Sequence, residues 1–402
     1  MKTNWQIKKL DQICEILIGG TPSRGISEYW EGGTLPWVSI RDMSREGSVI
    51  NNTNEKITEK GAKNSNVKLI PKGSLLFSFK LSIGKLAIAG SDLYTNEAIA
   101  TLVIKDENEL NKKFLQYYIS QMVFDDVTTA VKGSTLNKEK IRNLEIPVPP
   151  LETQEEIVKI LDMKFVKLRE AKKIREDAIV DTEKILSQTL REIFEEGKQE
   201  GWDEKSIDEI TEVVTKGTTP KTLGRNFTDS GVPFLKAENI AGGPIDLMSL
   251  RTFISDETND LLNRSKTKSG DVLMTIAGTI GRVGYLPENS PQMNTNQAVA
   301  IIRPKKEMIC SAFLTYALQS PFVQKGILDG VVKAAIPNFS LTRIKEIPLP
   351  LPSLSEQQKI VTRLDELSEK IKSLRELQTS QLADLKQLEK AYLREAFNGE
   401  LV

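Results

Sequence analysis

The chain is expected to have an α+β fold in duplicate: two globular α+β domains alternating with two long helices that pair as an antiparallel coiled coil. Three observations lead there. The sequence repeats itself at an offset of about 200 residues, each copy passes from short strand-like runs into a long seven-residue periodicity, and a proline cluster marks each passage. Glu145-Ile146-Pro147-Val148-Pro149 returns as Glu346-Ile347-Pro348-Leu349-Pro350, and Gln154 to Phe194 aligns with Gln357 to Phe397 without a gap.

The globular copies open alike. Trp5, Ile13, Gly19 and Thr21-Pro22 correspond to Trp202, Ile210, Gly217 and Thr219-Pro220. Further on, Ile83-Gly84-Lys85 answers Ile280-Gly281-Arg282, and Thr95-Asn96-Glu97-Ala98 answers Thr295-Asn296-Gln297-Ala298. Ser74 to Phe79 and Asp271 to Ile276 are β-branched or apolar runs bounded by turn residues, which predicts strands. Asn111 to Gln121 and Ser311 to Gln319 carry a helical pattern. The expected division is a first globular domain over residues 1–143, a proline-led entry and helix over 144–200, a second globular domain over 201–344, and a second proline-led entry and helix over 345–402.

In the second helix Ile360, Leu364, Leu367, Ile371 and Leu374 step by four and three, and the frame resumes at Leu385 and Leu388 after polar Gln378 and Gln381. That is a heptad seam. The first helix keeps the frame more weakly, with Ile157, Leu161, Leu168 and Ile185 in the seam and Lys164 and Arg175 interrupting it. These eleven positions are the expected coiled-coil core. Proline cannot continue a helix inward, so Pro147, Pro149 and Pro150, like Pro348, Pro350 and Pro352, predict an extended approach ending sharply at the helix. If the first helix carries the chain from one globular domain to the other, the second must return for its seam to lie alongside, so the pair is expected to be antiparallel. About 40 residues at roughly 1.5 Å each make a spacer of about 60 Å.

Composition narrows the function classes. No run of eighteen apolar residues occurs and Met1-Lys2-Thr3-Asn4-Trp5 is not an apolar signal segment, so no membrane association and a cytoplasmic location are expected. Lys plus Arg equals Asp plus Glu at 55 each, which excludes a globally basic nucleic-acid binder. Cys14 and Cys310 occupy non-equivalent places in the two copies, against a repeated metal site or a disulfide framework; both are expected to be core thiols. The chain has no His, which removes His bases, His metal ligands and Ser-His or Cys-His nucleophiles. It also lacks a Gly-x-x-x-x-Gly-Lys-Ser/Thr phosphate loop and an Asn/Asp-Pro-Pro-aromatic run of the amino-methylating kind.

Gly19-Gly20-Thr21-Pro22-Ser23, Tyr29-Trp30, Leu35-Pro36-Trp37-Val38, Thr95-Asn96-Glu97, Gly133-Ser134-Thr135 and Ile146-Pro147-Val148-Pro149-Pro150-Leu151 with Gln154 follow in that order, and the second half repeats the pattern. Over essentially its whole length the chain resembles the specificity subunits of type I restriction-modification systems. The resemblance implies a non-catalytic DNA reader. Each globular domain would be a target-recognition domain for one half of a bipartite site on double-stranded DNA, and the helices would fix the gap and dock two methyltransferase (modification) subunits. It implies no cofactor in this chain: S-adenosylmethionine belongs to the modification subunits, ATP and Mg²⁺ to restriction/translocase subunits. Half-site centres should lie about one helical turn apart, within an outer limit near 18 base pairs at roughly 3.4 Å each.

Side chains able to reach bases or phosphates are Arg41, Lys80, Ser82, Lys85, Lys132, Ser134 and Thr135 in the first domain and Lys221, Lys236, Thr279, Arg282 and Lys333 in the second. For most of these a solvated surface group is the plainer alternative; for Lys132, Ser134 and Thr135, just before the helical segment, it is a helix cap at Asn137. The second copy has Ala334-Ala335-Ile336 in place of Gly133-Ser134-Thr135 and Gln297 in place of Glu97, so an asymmetric site is expected. Residues 1–150 hold 20 basic and 17 acidic side chains and residues 201–350 hold 17 and 16. Such balance predicts weak, salt-sensitive DNA binding by the chain alone. The rival classes are a coiled-coil scaffold without DNA readout and an atypical nuclease or methyltransferase, which would turn over substrate unaided.

Overall fold

A computed structural model of the chain describes residues 5–45, 49–122, 128–130, 133–331 and 339–401. The chain divides into two compact units, one of residues 1–174 with 381–402 and the other of residues 175–380. Each unit therefore holds one globular region, half of one long helix and half of the other.

In the first unit a five-stranded sheet runs in the order Cys14–Ile18, Ile99–Ile104, Leu75–Ser78, Leu86–Ala89, Val49–Ile50. Leu75, Leu76, Phe77 and Ser78 are all buried, because both faces of this central strand are covered. One face packs on the helix Lys112–Gln121 through Phe114, Leu115 and Ile119, the other on a smaller cluster around Val38, Ile70 and Leu93. The second unit repeats this plan with four strands in the order Thr211–Lys216, Val299–Pro304, Val272–Thr275, Val283–Tyr285, packed on the helix Ser311–Gln319. Both expected strands and both expected helices fall where the pattern placed them, within a residue or two.

The proline-led segments are short strands. Glu145–Val148 pairs antiparallel with Gln6–Lys9, and Pro348–Leu351 pairs antiparallel with Asp203–Ser206. Both are two-stranded sheets, so each proline strand is an edge and its missing donors cost nothing. The helices begin directly after them, at Leu151–Gln199 (49 residues) and Leu354–Phe397 (44 residues).

Within each unit the two helix halves run antiparallel. In the first, Lys164 pairs with Glu395 at 3.9 Å and Lys172 pairs with Glu389, one number rising as the other falls. In the second, Glu183 meets Arg375 at 2.9 Å, and Leu190, Ile193 and Phe194 share a core with Ile360, Val361 and Leu364. Ile157, Leu161 and Leu168 are buried with Leu393, Ala396 and Phe397. Ile185, Leu367, Ile371 and Leu385 are half-buried. Leu374 and Leu388 depart from expectation at 40% and 38% exposed. The apolar helix core is concentrated where the helices also lie against a globular region. Away from it a two-stranded seam alone covers its leucines only in part. The buried layer there is polar: the Gln378 side-chain amide donates to the Thr182 hydroxyl at 3.0 Å and the Ala178 carbonyl at 3.3 Å.

Cys14 is a core thiol at 1% exposure, and burial pushes its pKa up to about 12. Cys310 is only half-buried, because it stands at the N-cap position of helix Ser311–Gln319 beside the half-buried Ser311 and Ala312; its pKa is raised, chiefly by burial. Since the thiolate is the reactive species, iodoacetamide at pH 8 should label native Cys310 slowly and Cys14 at least tenfold more slowly still, with both reacting in urea. Equal native rates, read by mass spectrometry, would contradict the packing of Cys14.

Candidate nucleic-acid interface

Each unit presents the same hairpin. The first runs from the central strand Leu75–Ser78 into Leu86–Ala89, the second from Val272–Thr275 into Val283–Tyr285. Its frame is a buried hydroxyl. Ser78 Oγ donates to the Ser82 carbonyl and accepts from the Lys85 amide at 2.9 Å. Thr275 Oγ1 likewise donates to the Thr279 carbonyl and accepts from the Arg282 amide at 2.9 Å. The turn closes through Gly84 at φ 89° and Gly281 at φ 91°, a left-handed conformation in which a side chain is strained.

On this shared frame the candidate residues gather. Lys80, Ser82 and Lys85 belong to the first hairpin, all half-buried, with the Lys80 ammonium 5.3 Å from the Phe79 ring. Strand Gly133–Thr135 pairs with Lys80–Leu81, bringing the backbone of Ser134 and Thr135 to the same hairpin; their side chains lie outside the described residues, as do Lys132 and Lys333. Thr279 and Arg282 are exposed on the second hairpin, whose place for Lys80 is held by Ala277. Arg282 also lines an open groove of about 1560 Å³ with Gly242, Gly243, Lys372, Arg375 and Glu376, where both signs of charge meet.

The other candidates stand on separate elements. Arg41 is exposed on the helix Ile40–Arg45. Lys236 holds the equivalent turn in the second unit, its ammonium 3.9 Å from Glu238 and 5.3 Å from the Phe227 ring. The turns match because Asp42 accepts from the Ser39 amide at 2.7 Å and Asn239 from the Lys236 amide at 2.9 Å. Lys221 is exposed in the short 3₁₀ turn Pro220–Leu223.

The Gly-x-Thr-Pro turns are framework. A Cβ on Gly19 would overlap the carbonyls of Thr95 and Asn96, and one on Gly217 those of Thr295 and Asn296. The Thr21 hydroxyl is tied to Glu97 and the Thr219 hydroxyl to Gln297. Pattern reading passed over Arg24, whose guanidinium sits 3.7 Å over the Trp30 ring and grips Glu55 with two nitrogens. Nothing in its spacing announces the stack, since Trp30 and Glu55 arrive from other turns.

What the fold and hairpins define is a tandem-repeat protein, with two similar globular regions, each packed on parts of both long helices, and different side chains on one framework. The family described as type I restriction modification DNA specificity domain matches twice, over residues 2–176 and 199–381. The chain belongs to this family, the DNA specificity subunits of type I restriction-modification systems. It is similar to the type I restriction enzyme MjaIX specificity subunit of Methanocaldococcus jannaschii, at 26% identity over 99% of this chain and 94% of that one. It is also similar to the EcoBI specificity subunit of Escherichia coli, at 26% identity over 76% and 69%. Its fold matches a solved chain from work on assembly and conformational transition of a type I restriction-modification system, with a TM-score of 0.77 at 20% identity and 98% of both chains covered. The HsdS subunit from Thermoanaerobacter tengcongensis matches with a TM-score of 0.56 at 20% identity, over 100% of this chain and 98% of that one. No described helix is long and apolar enough to cross a membrane.

Proposed function

We propose that this chain is the non-catalytic reader of a DNA-modifying complex in the cytoplasm, each globular domain reading one half of an asymmetric, bipartite site on double-stranded DNA. One observation carries the reading. The hairpins share hydroxyl brace, glycine turn and one neighbouring strand (Ile99–Ile104 in the first, Val299–Pro304 in the second), yet Lys80, Ser82 and Lys85 on the first stand against Ala277, Thr279 and Arg282 on the second. A frame kept while its tips vary is what two different base sequences require, since lysine and arginine reach guanine edges and hydroxyls either groove edge. Arg41, Lys221 and Lys236 would add phosphate contacts that orient the duplex without reading it. The helices set the gap between the half-sites and dock two modification subunits, which supply S-adenosylmethionine and methylate adenine; ATP and Mg²⁺ act in restriction/translocase subunits.

The test is to map methylated adenines in DNA modified by the complex assembled from this chain and its modification subunits. The expected result is two short, dissimilar sequences separated by a gap of constant length and free sequence. A single uninterrupted site, or methylation by this chain alone, would overturn the proposal.

A further inference from the structure

Both long helices carry a glutamine with no solvent exposure in their first turn, at Gln154 and Gln357. Gln154 accepts from the Asn111 amide at 2.8 Å and donates to the carbonyls of Glu109 and Pro149 at 2.8 Å each. Gln357 accepts from the Cys310 amide at 3.0 Å and donates to the carbonyls of Met308 at 2.8 Å and Pro352 at 3.0 Å. The three bonds are the same although Glu109 is replaced by Met308 and Asn111 by Cys310. Every partner is a main-chain atom, so the side-chain amide fastens a globular loop and the proline lead-in to the helix whatever residues the loop carries. Eight residues further on, a second tie follows in both copies. The Tyr117 hydroxyl donates to Asp162 at 2.5 Å and the Tyr316 hydroxyl to Asp365 at 2.7 Å. Burial opposes ionisation of Asp162, but hydrogen bonds from Lys113 and Tyr117 outweigh it and hold the carboxyl below its ordinary range.

We propose that Gln154 and Gln357 are positioning residues for sequence reading: each is a sequence-blind clasp that fixes the angle of its own recognition domain on the helix, with the tyrosine–aspartate tie preventing rotation about it. The proposal rests on the reading of the chain as a two-headed DNA reader. Side chains that must meet base edges within a few tenths of an ångström depend on such an anchor, while the hydrophobic core keeps the domain folded without it. Leucine in place of either glutamine leaves two loop groups and one lead-in carbonyl without their glutamine partner and frees the domain to tilt.

The variants are Gln154→Leu and Gln357→Leu, each assembled with wild-type modification subunits, with methylated sites mapped across random-sequence DNA. Gln154→Leu should degrade discrimination at least tenfold in the half-site assigned to residues 1–143 and leave the other half unchanged; Gln357→Leu should do the reverse. Amide hydrogen exchange of the chain supplies a readout that needs no DNA: the Asn111 amide should exchange at least tenfold faster in Gln154→Leu, and the Cys310 amide in Gln357→Leu, with the sheets still protected. Equal effects on both half-sites, unchanged discrimination, or loss of sheet protection in either variant would overturn the clasp. If the wild-type complex itself showed no two-part site, the functional reading would fall, and hydrogen exchange would still decide whether the glutamines hold the loops.

Discussion

Exchanging residues 1–143 for the first recognition domain of another type I specificity subunit is expected to abolish modification of the native site and create a hybrid site with one half unchanged. The effect should be large. Specific binding of this kind exceeds non-specific binding by about 10³-fold or more, so methylation of the native site should fall by at least that factor. The hybrid site should be modified at a rate within about tenfold of the original, because Gln154 and its contact with the Pro149 carbonyl remain and the incoming loop need offer only main-chain groups. Competition between native and hybrid sites on one DNA gives the measurement. A change in both halves would mean that the domains do not read independently.

A second large effect is expected in the core of the second unit. Asp271, with no exposed side-chain surface, is held by Arg303 through two bonds of 2.7 and 2.8 Å and by the Lys268 amide at 2.7 Å. Bonding to Asp271 outweighs burial and raises the Arg303 pKa. Arg303→Met strands a buried carboxylate and should cost about 3–5 kcal/mol, a fall in Tm of roughly 10 °C for a unit of this size. The first unit shows the alternative solution, with Ser74 and Val103 at the corresponding places. The double replacement Asp271→Ser with Arg303→Val should therefore recover most of the loss. Denaturant melts of the three proteins provide the comparison, and a cost below about 1 kcal/mol for Arg303→Met would show that water already reaches the pair.

The parts of this structure governed by local pattern were legible in the residues. Lys112–Gln121 and Ser311–Gln319 follow from apolar periodicity, and the helix starts at Leu151 and Leu354 follow from the prolines before them. What failed depends on distant covering groups. Leu364 and Leu374 both lie on the heptad seam, yet the first is fully buried and the second 40% exposed, because only Leu364 also meets a globular core. The clasp of Gln154 was visible only as a repeated glutamine; its partners, Glu109 and Asn111, lie more than 40 residues earlier. Among the candidates for DNA contact, pattern reading selected Lys80, Ser82 and Lys85 for their residue types. Their hairpin is local; the tertiary fact is that strand Gly133–Thr135 arrives beside Lys80–Leu81.

The first unit is finished by residues that come after the whole of the second. Leu393, Ala396 and Phe397 close the core around Phe114, with the Phe397 ring 5.3 Å away, while residues 175–380 form a continuous stretch. On the ribosome, then, the segment translated earlier must wait with an uncovered apolar face, and the later one completes its core sooner. Domains usually mature in the order in which they are made; here the nascent chain inverts that order.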